Sequence, residues 1–380
     1  MRGVPDPSRS ERLRELLAVF GMLGVIGFGG PAAHIALMRR EVVERRRWLT
    51  DQQMIDLVGI TNLIPGPNST EMAMHVGRLR AGGTGLVVAG LAFILPAVAI
   101  ILALAWAYVT YGSTPTGEAL LYGIKPVVVA IVMAALVAFA RTALAGPLRI
   151  AVAVAAALLW AIGVNELVLL AAGAIAVAAL RVGTRHPWAA IGIVAPAAAL
   201  GAAASVNLLT LGAVFLKAGA LLYGSGYVLL AFLRGDLVLR LGWLTDAQLL
   251  DAVAIGQVTP GPLFTTATFI GYVLAGVPGA LVATVAIFAP AFVFVALIGP
   301  IAERLRERAL TAALLDGVNA AALGLMAAVT AQLAASAVRD PLTVALLAGS
   351  GLALWWRVPS VVLVAAGDVI GVLAGSPVGP

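Results

Sequence analysis

Residues 48–67 read WLTDQQMIDLVGITNLIPGP, and residues 243–262 read WLTDAQLLDAVAIGQVTPGP. At an offset of 195 the two superimpose without a gap and share 11 of 20 positions, among them Trp-Leu-Thr-Asp at the start and Pro-Gly-Pro at the end. The likeness continues outward. Phe20 pairs with Phe215, Gly24 with Gly219, Phe28 with Tyr223, Gly29 with Gly224 and Arg39 with Arg234. One residue is missing from the second copy after Pro-Gly-Pro, and at the new offset of 194 Gly77 pairs with Gly271, Gly85 with Gly279, Gly123 with Gly317 and Lys125 with Asn319. The chain is therefore a duplication: a polar tail over residues 1–12, a first repeat over 13–182, a connecting segment over 183–207 and a second repeat over 208–380.

Composition decides where such a duplicated chain folds. Hydrophobic residues make up 62% of the 380 and charged residues 11%, and the mean hydropathy is +1.04. A soluble domain is about half apolar and about a quarter charged. This chain has too few charges to cover a water-facing surface, and its apolar runs are long enough to span a bilayer. The runs do not alternate as barrel strands do. The expected fold is all-α, a multi-pass membrane protein of two inverted-topology repeats with broken or re-entrant helices. The net charge of +6 sits between apolar runs, as loop anchors do, and no aromatic-interleaved basic domain supports nucleic-acid binding. The absence of cysteine excludes disulfides, thiolate metal sites and thiol redox chemistry. No cofactor or metal site is expected, since three scattered histidines make no ligand cluster. The N-terminal run lacks a cleavage pattern for a removable signal.

Four runs are interrupted by glycine and proline: 13–38 at residues 27–31, 52–78 at 65–67, 207–232 near Gly224 and Ser225, and 245–274 at 260–262. The others read as ordinary spans: 84–110, 119–141, 148–163, 165–181, 187–205, 279–300, 309–336, 341–356 and 358–375. The loop at 111–118 has no basic residue and is placed outside. Its repeat partner at 301–309 carries Arg304, Arg306 and Arg308 and is placed inside. Equivalent loops then face opposite sides, with the unpaired run 187–205 supplying the odd crossing. Residues 39–47, rich in arginine, stay on the same side as the N-tail if the breaks are turns between paired half-helices.

The breaks are the candidate site. Backbone N–H and C=O groups freed inside a bilayer need protein or a water-filled cavity to satisfy them. A half-helix beginning just past a break presents its free N–H groups and positive dipole end to that cavity, which suits an anion. Candidate binding residues are Gly29, Gly30 and Pro31; Asn62, Pro65, Gly66, Pro67, Asn68 and Ser69; Gly224 and Ser225; and Pro260, Gly261, Pro262 and Thr265. Lys125, Lys217, Arg39 and Arg234 are candidate counter-charges, since an arginine fork or a lysine matches an oxyanion. Glu71 and His75 are candidate coupling groups. Asp56 and Asp251 are expected to pair with arginine. The tryptophans fall near span ends, as interface belts require.

Phe28-Gly29-Gly30-Pro31, the basic stretch ending at Trp48-Leu49-Thr50, residues 62–67, the second Pro260-Gly261-Pro262 and Gly123-Ile124-Lys125-Pro126 together resemble the chromate ion transporter family in its long, two-domain form. The likeness covers nearly the whole chain. It departs where the second copy has Ser225-Gly226 in place of Gly30-Pro31. The resemblance implies chromate efflux across the inner membrane, lowering cytoplasmic chromate and conferring resistance, by potential-driven or ion-coupled antiport. Its implied partners are chromate or a sulfate-like oxyanion, the lipid bilayer and, as an assembly option, a homodimer. The alternatives are a transporter of sulfate or another small oxyanion, a membrane-embedded enzyme, and a channel. The missing cysteines and the lack of a nucleotide fingerprint weigh against the enzyme.

Overall fold

The computed structural model describes residues 8–182, 205–223, 226–298 and 308–375. Among the described residues every regular element is helical. The run expected at 187–205, apart from its last residue, the loop at 301–307, Gly224 and Ser225 lie outside them.

The first repeat opens with α1 (Arg9–Ile26), α2 (Gly30–Arg39), α3 (Asp51–Thr61) and α4 (Asn68–Tyr111). Three of these boundaries follow from local chemistry. Ser8 caps α1 and Thr50 caps α3, each accepting from the backbone of the third residue in a reciprocal capping box. Gly27 ends α1, and Gly29 and Gly30 turn the chain at φ +99° and +77°, which side chains avoid. At 10 or 11 residues, α2 and α3 reach only about 15–17 Å, half the thickness of a bilayer core. A wide π-helical turn, Arg40–Arg45, links α2 toward α3.

The 44 residues of α4 are two arms. Ala81 and Gly82 leave helical geometry, Gly82 at φ +68° and ψ −153°. The short arm α4a (residues 68–80) therefore folds back along the long arm α4b (residues 83–111). Gly77 and Gly85 make the fold-back, for a Cβ on Gly77 would lie 2.2 Å from the Gly85 carbonyl oxygen. The first repeat closes with α5 (Pro115–Ala143), α6 (Pro147–Ala161) and α7 (Glu166–Val182).

The second repeat runs α8 (Leu208–Leu221), α9 (Leu229–Leu233), a π-helical turn Arg234–Arg240, α10 (Asp246–Val258), α11 (Thr266–Ile298), α12 (Ala309–Ala337), α13 (Pro341–Trp355) and α14 (Ser360–Ala374). Thr245 caps α10 as Thr50 caps α3. The kink recurs at Ala275-Gly276 and divides α11 into arms of residues 266–274 and 277–298, packed through Gly271 and Gly279. Two described helices from each repeat, α4, α5, α11 (with the preceding residues from Leu263) and α12, are long and apolar enough to cross a membrane.

The repeats interlock rather than sit side by side. Helix α5 packs on α13 and α14 of the second repeat, and α12 packs on α6 and α7 of the first. These seams use small residues, as helix contacts in lipid do when backbones approach closely. Gly123 meets Gly367 and Gly371, and its repeat partner Gly317 meets Gly173.

The two long arms α4b and the C-terminal arm of α11 also meet, and their directions can be read from contacts. Arg78, level with Gly85 at the fold-back, donates to the carbonyls of Val295 and Ala296. Gly90 faces the Phe292 ring. Tyr108 packs edge-on against Phe269, one residue from the Thr268–Thr284 hydrogen bond. As the first arm climbs from 85 to 108, its neighbour descends from 295 to about 284. Equivalent arms thus run antiparallel.

A Cβ at Gly123 would fall 2.0 Å from the Gly367 carbonyl oxygen, whereas nothing lies within 4 Å at Gly349. Gly123→Val should destabilise the protein by about 1–3 kcal/mol, the usual cost of overpacking. Gly349→Ala should be near neutral. Thermal unfolding of both variants in detergent measures the difference.

Candidate functional site

Each Pro-Gly-Pro loop is bound to the break in the opposite repeat. Gly66 N–H donates to the Leu222 carbonyl at 2.9 Å, and Gly261 N–H donates to the Gly27 carbonyl at 2.7 Å. At the repeat offset these are one interaction made twice. Side-chain packing agrees: the nearest neighbour of a Cβ on Gly261 is Ala97, and Ala291, the partner of Ala97, lies beside Gly66. Ala97 is midway along α4b, so the loops meet near the middle of the long helices. The Gly27 carbonyl accepts a second hydrogen bond, from buried His34 Nε2 at 3.0 Å. A carbonyl can only accept, so that nitrogen carries the hydrogen.

Between these loops is a cavity of about 360 Å³, lined among others by Gly29, Gly30, Pro31, Gly66, Pro67, Asn68, Ser69 and Gly226. A narrow cleft adjoins it, sharing Gly29, Gly30 and Pro31 and adding Gln257, Thr259 and Gly261. The described residues lining the two carry no formal charge. What they offer is backbone. Helices α2 and α4 begin at the cavity, and so does the single turn Leu263–Thr265 leading into α11. None of these three starts has a side-chain cap. Ser8, Thr50, Thr114, Asn207, Thr245 and Asp340 cap other starts, while α6, α9, α12 and α14 also begin without a side-chain cap. The three at the cavity leave N–H groups and partial positive charge directed at one space, the arrangement that binds anions.

The structure thus brings together Gly29, Gly30, Pro31, Gly66, Pro67, Asn68 and Ser69, with Gly261 in the cleft. Asn62 stands behind the wall, its amide oxygen accepting from Asn68 at 2.9 Å. Pro65, Pro260 and Pro262 are buried in the loops, and the Thr265 hydroxyl donates to the Pro262 carbonyl. Gly224 and Ser225 fall outside the described residues. Gln257, in the cleft, is a residue the sequence reading does not single out. Its side-chain amide nitrogen is buried without an acceptor. The repeat offered the signal, for Gln257 is the partner of Asn62. The far wall, Ala135, Ala138 and Phe139 of α5, had no signal in an apolar run.

The four predicted cations are placed elsewhere, each held by carboxylates. Arg39 bonds Asp51 at 2.6 Å and Glu44 at 2.5 Å. Arg234 forks both oxygens of Asp246 at 2.7 and 2.9 Å and lies over the Trp160 ring. Lys217 joins Glu166 at 2.9 Å and also Asp236. Lys125 pairs with buried Asp251 at 3.3 Å, and Tyr108 donates to the same carboxylate at 3.0 Å. Asp251 was expected to hold an arginine. It holds a lysine and a tyrosine instead, because α10 faces α5 and α4 across the repeats. Lys125 lies ten or more residues along α5 from the cavity wall, roughly 15 Å at 1.5 Å per residue. The basic stretch is likewise tied down. Buried Glu41 accepts from Arg45 and Arg46, and Arg46 and Arg80 flank the Trp48 ring.

Glu71 lies in the first turn of α4, fully buried, with neither carboxyl oxygen hydrogen-bonded. One of those oxygens is the nearest atom to the Cβ that Gly66 lacks, at 2.4 Å. His75, one turn on, is also buried, with Nε2 unpartnered. Among the described residues no group of acidic, histidine or cysteine side chains has the arrangement to hold a metal ion.

A model of the family described as chromate transporter matches residues 14–178 and again 209–372. The chain belongs to the chromate transporter family. The chromate transport protein of Cupriavidus metallidurans is 33% identical over 375 residues, covering 95% of this chain and 93% of that relative. The chromate transport protein of Pseudomonas aeruginosa is 35% identical over 84% of this chain and 80% of its own length. The probable chromate transport protein of Synechococcus elongatus is 31% identical over 86% of both. No solved structure matches the chain. The family is one of transporters rather than enzymes, and both of its matched segments in this chain contain a Pro-Gly-Pro loop and the break that the opposite loop binds.

Removing one member of a buried ion pair leaves the other charge uncompensated, at a cost of about 3–5 kcal/mol. Lys125→Ala should destabilise this chromate transporter family member by that order, and Lys125→Ala combined with Asp251→Asn should recover most of the loss. Chemical unfolding of the single and double variants in detergent gives the comparison.

Proposed function

We propose that this protein is a secondary transporter exporting chromate across the inner membrane, driven by the membrane potential, and that it confers chromate resistance. The observation that carries the reading is the convergence of three uncapped helix starts on a cavity without fixed charge at the meeting point of the repeats. Backbone N–H donors hold a tetrahedral oxyanion without the tight grip of a buried cation, which suits a site that must also release its cargo. The named activity of the relatives supplies the anion. Sulfate shares the charge and shape of chromate and remains the second substrate, since nothing in a wall of backbone groups separates the two.

The antiparallel course of the equivalent arms supports an inverted-topology repeat, with the relating axis in the bilayer plane and the site near the midplane. Rocking one repeat against the other would expose the cavity to each side in turn. The Lys125–Asp251–Tyr108 cluster, far along α5 from the cavity, would fasten the closed end. Its repeat partners include Asn319 and Asp56, so the two ends are not fastened alike.

Direction follows from charge. One elementary charge crossing 100 mV exchanges about 2.3 kcal/mol. A dianion leaving a cell held near −150 mV inside gains roughly 7 kcal/mol, without nucleotide hydrolysis. In liposomes loaded with chromate and clamped by a potassium gradient, protein-dependent efflux should accelerate as the interior is made negative, and sulfate should compete. Efflux indifferent to potential, or equal to that of protein-free liposomes, overturns the proposal. A hydrogen bond to a charged group is worth about 1.5–3 kcal/mol. Gln257→Ala should accordingly weaken chromate binding about 10- to 100-fold.

A further inference from the structure

We propose that Glu71 is a proton site, and that it takes its proton together with the oxyanion so that both cross in the same direction. The inference rests on the proposed oxyanion transport and specifies its coupling. Glu71 stands directly behind Gly66, which lines the cavity, and no side chain separates the two. It is fully buried, and both of its oxygens lack hydrogen-bond partners. No cation pairs with it among the described residues. Tyr223, just beyond α8, is near enough for the two groups to interact through their charge. His75 follows one turn along its own helix, and Arg78 beyond that is engaged by the carbonyls of Val295 and Ala296.

An ionised Glu71 beside a bound dianion would place three negative charges in one water-poor space. A proton on the carboxyl removes one of them. Coupling between two ligands is reciprocal, so a proton that favours the oxyanion is itself favoured by the oxyanion. Such mutual support makes the two travel together rather than exchange. The second repeat has Thr265 at the equivalent position, a hydroxyl bound to the Pro262 carbonyl. One proton therefore accompanies each anion, and each anion exported moves one net negative charge. Export remains downhill in the membrane potential.

The test uses the full chain in liposomes containing chromate, at alkaline pH where chromate stays a dianion, with voltage clamped and a pH-sensitive dye in the receiving compartment. The wild type should acidify the compartment that receives chromate and move one net charge per anion. Chromate binding to the wild type should weaken up to about tenfold for each unit that pH rises. Glu71→Gln should lose the acidification, move two charges per anion and bind chromate independently of pH. Glu71→Asp, which keeps a titrating group, should retain the acidification. Chromate flux in the wild type with no accompanying proton, or with protons moving oppositely, overturns the proton site and leaves the transport proposal standing. Acidification persisting in Glu71→Gln also overturns it. Absence of any protein-dependent chromate flux removes the transport proposal itself. Should Glu71→Gln fail to fold, the wild-type charge count and pH dependence decide the matter.

Discussion

The structure depends on a hydrogen bond made twice: the central glycine of each Pro-Gly-Pro loop donates its N–H to the carbonyl that ends, or directly follows, the first helix of the other repeat. Breaking a helix inside a bilayer frees donors and acceptors that lipid cannot satisfy. Here the break in one copy supplies the acceptor that the loop in the other copy needs, so neither interruption is tolerable without its opposite. The two copies are therefore bound to each other at their breaks. This also brings the uncapped helix starts together, because the backbone groups left over once Gly66 and Gly261 are satisfied face the same small space.

Around that centre the repeats are bound by exchange. The second long helix of each repeat, α5 or α12, is held by the final helix pair of the opposite repeat through glycine contacts. Lipid offers no hydrophobic drive between helices, so close approach of backbones has to do the holding. The charged residues serve the same end. Arg39, Arg234, Lys125 and Lys217 are each neutralised by carboxylates, which leaves the cavity walled by neutral donors. Departures from symmetry then stand out. By the repeat offset Glu71 corresponds to Thr265, His75 to Phe269 and Lys125 to Asn319, and these positions are where two similar halves differ.

The repeat and the glycine-proline breaks were legible in the chain. Thr50 and Thr245 cap as their Thr-x-x-Gln spacing requires, since a capping box is chemistry among residues three apart. The segment 52–78 was expected to break at Pro-Gly-Pro and does so. Other features were hidden because their partners are remote in sequence. Lys125 looked like a counter-charge for substrate, yet Asp251 claims it from 126 positions away. Gln257 passed unremarked although its partner Asn62 was singled out. The wall formed by Ala135, Ala138 and Phe139 could not be told from any other apolar turn.

By itself the sequence determined that this is a duplicated, helical membrane protein whose helices are interrupted at related places, because composition, periodicity and backbone restriction act locally. The tertiary structure alone decided which interruption answers which, which cations remain free to meet a ligand, and that Glu71 ends behind the cavity wall without a partner. Those outcomes turn on groups meeting across two repeats, and a hydrogen bond or ion pair depends on distance in space, which no spacing along one chain contains.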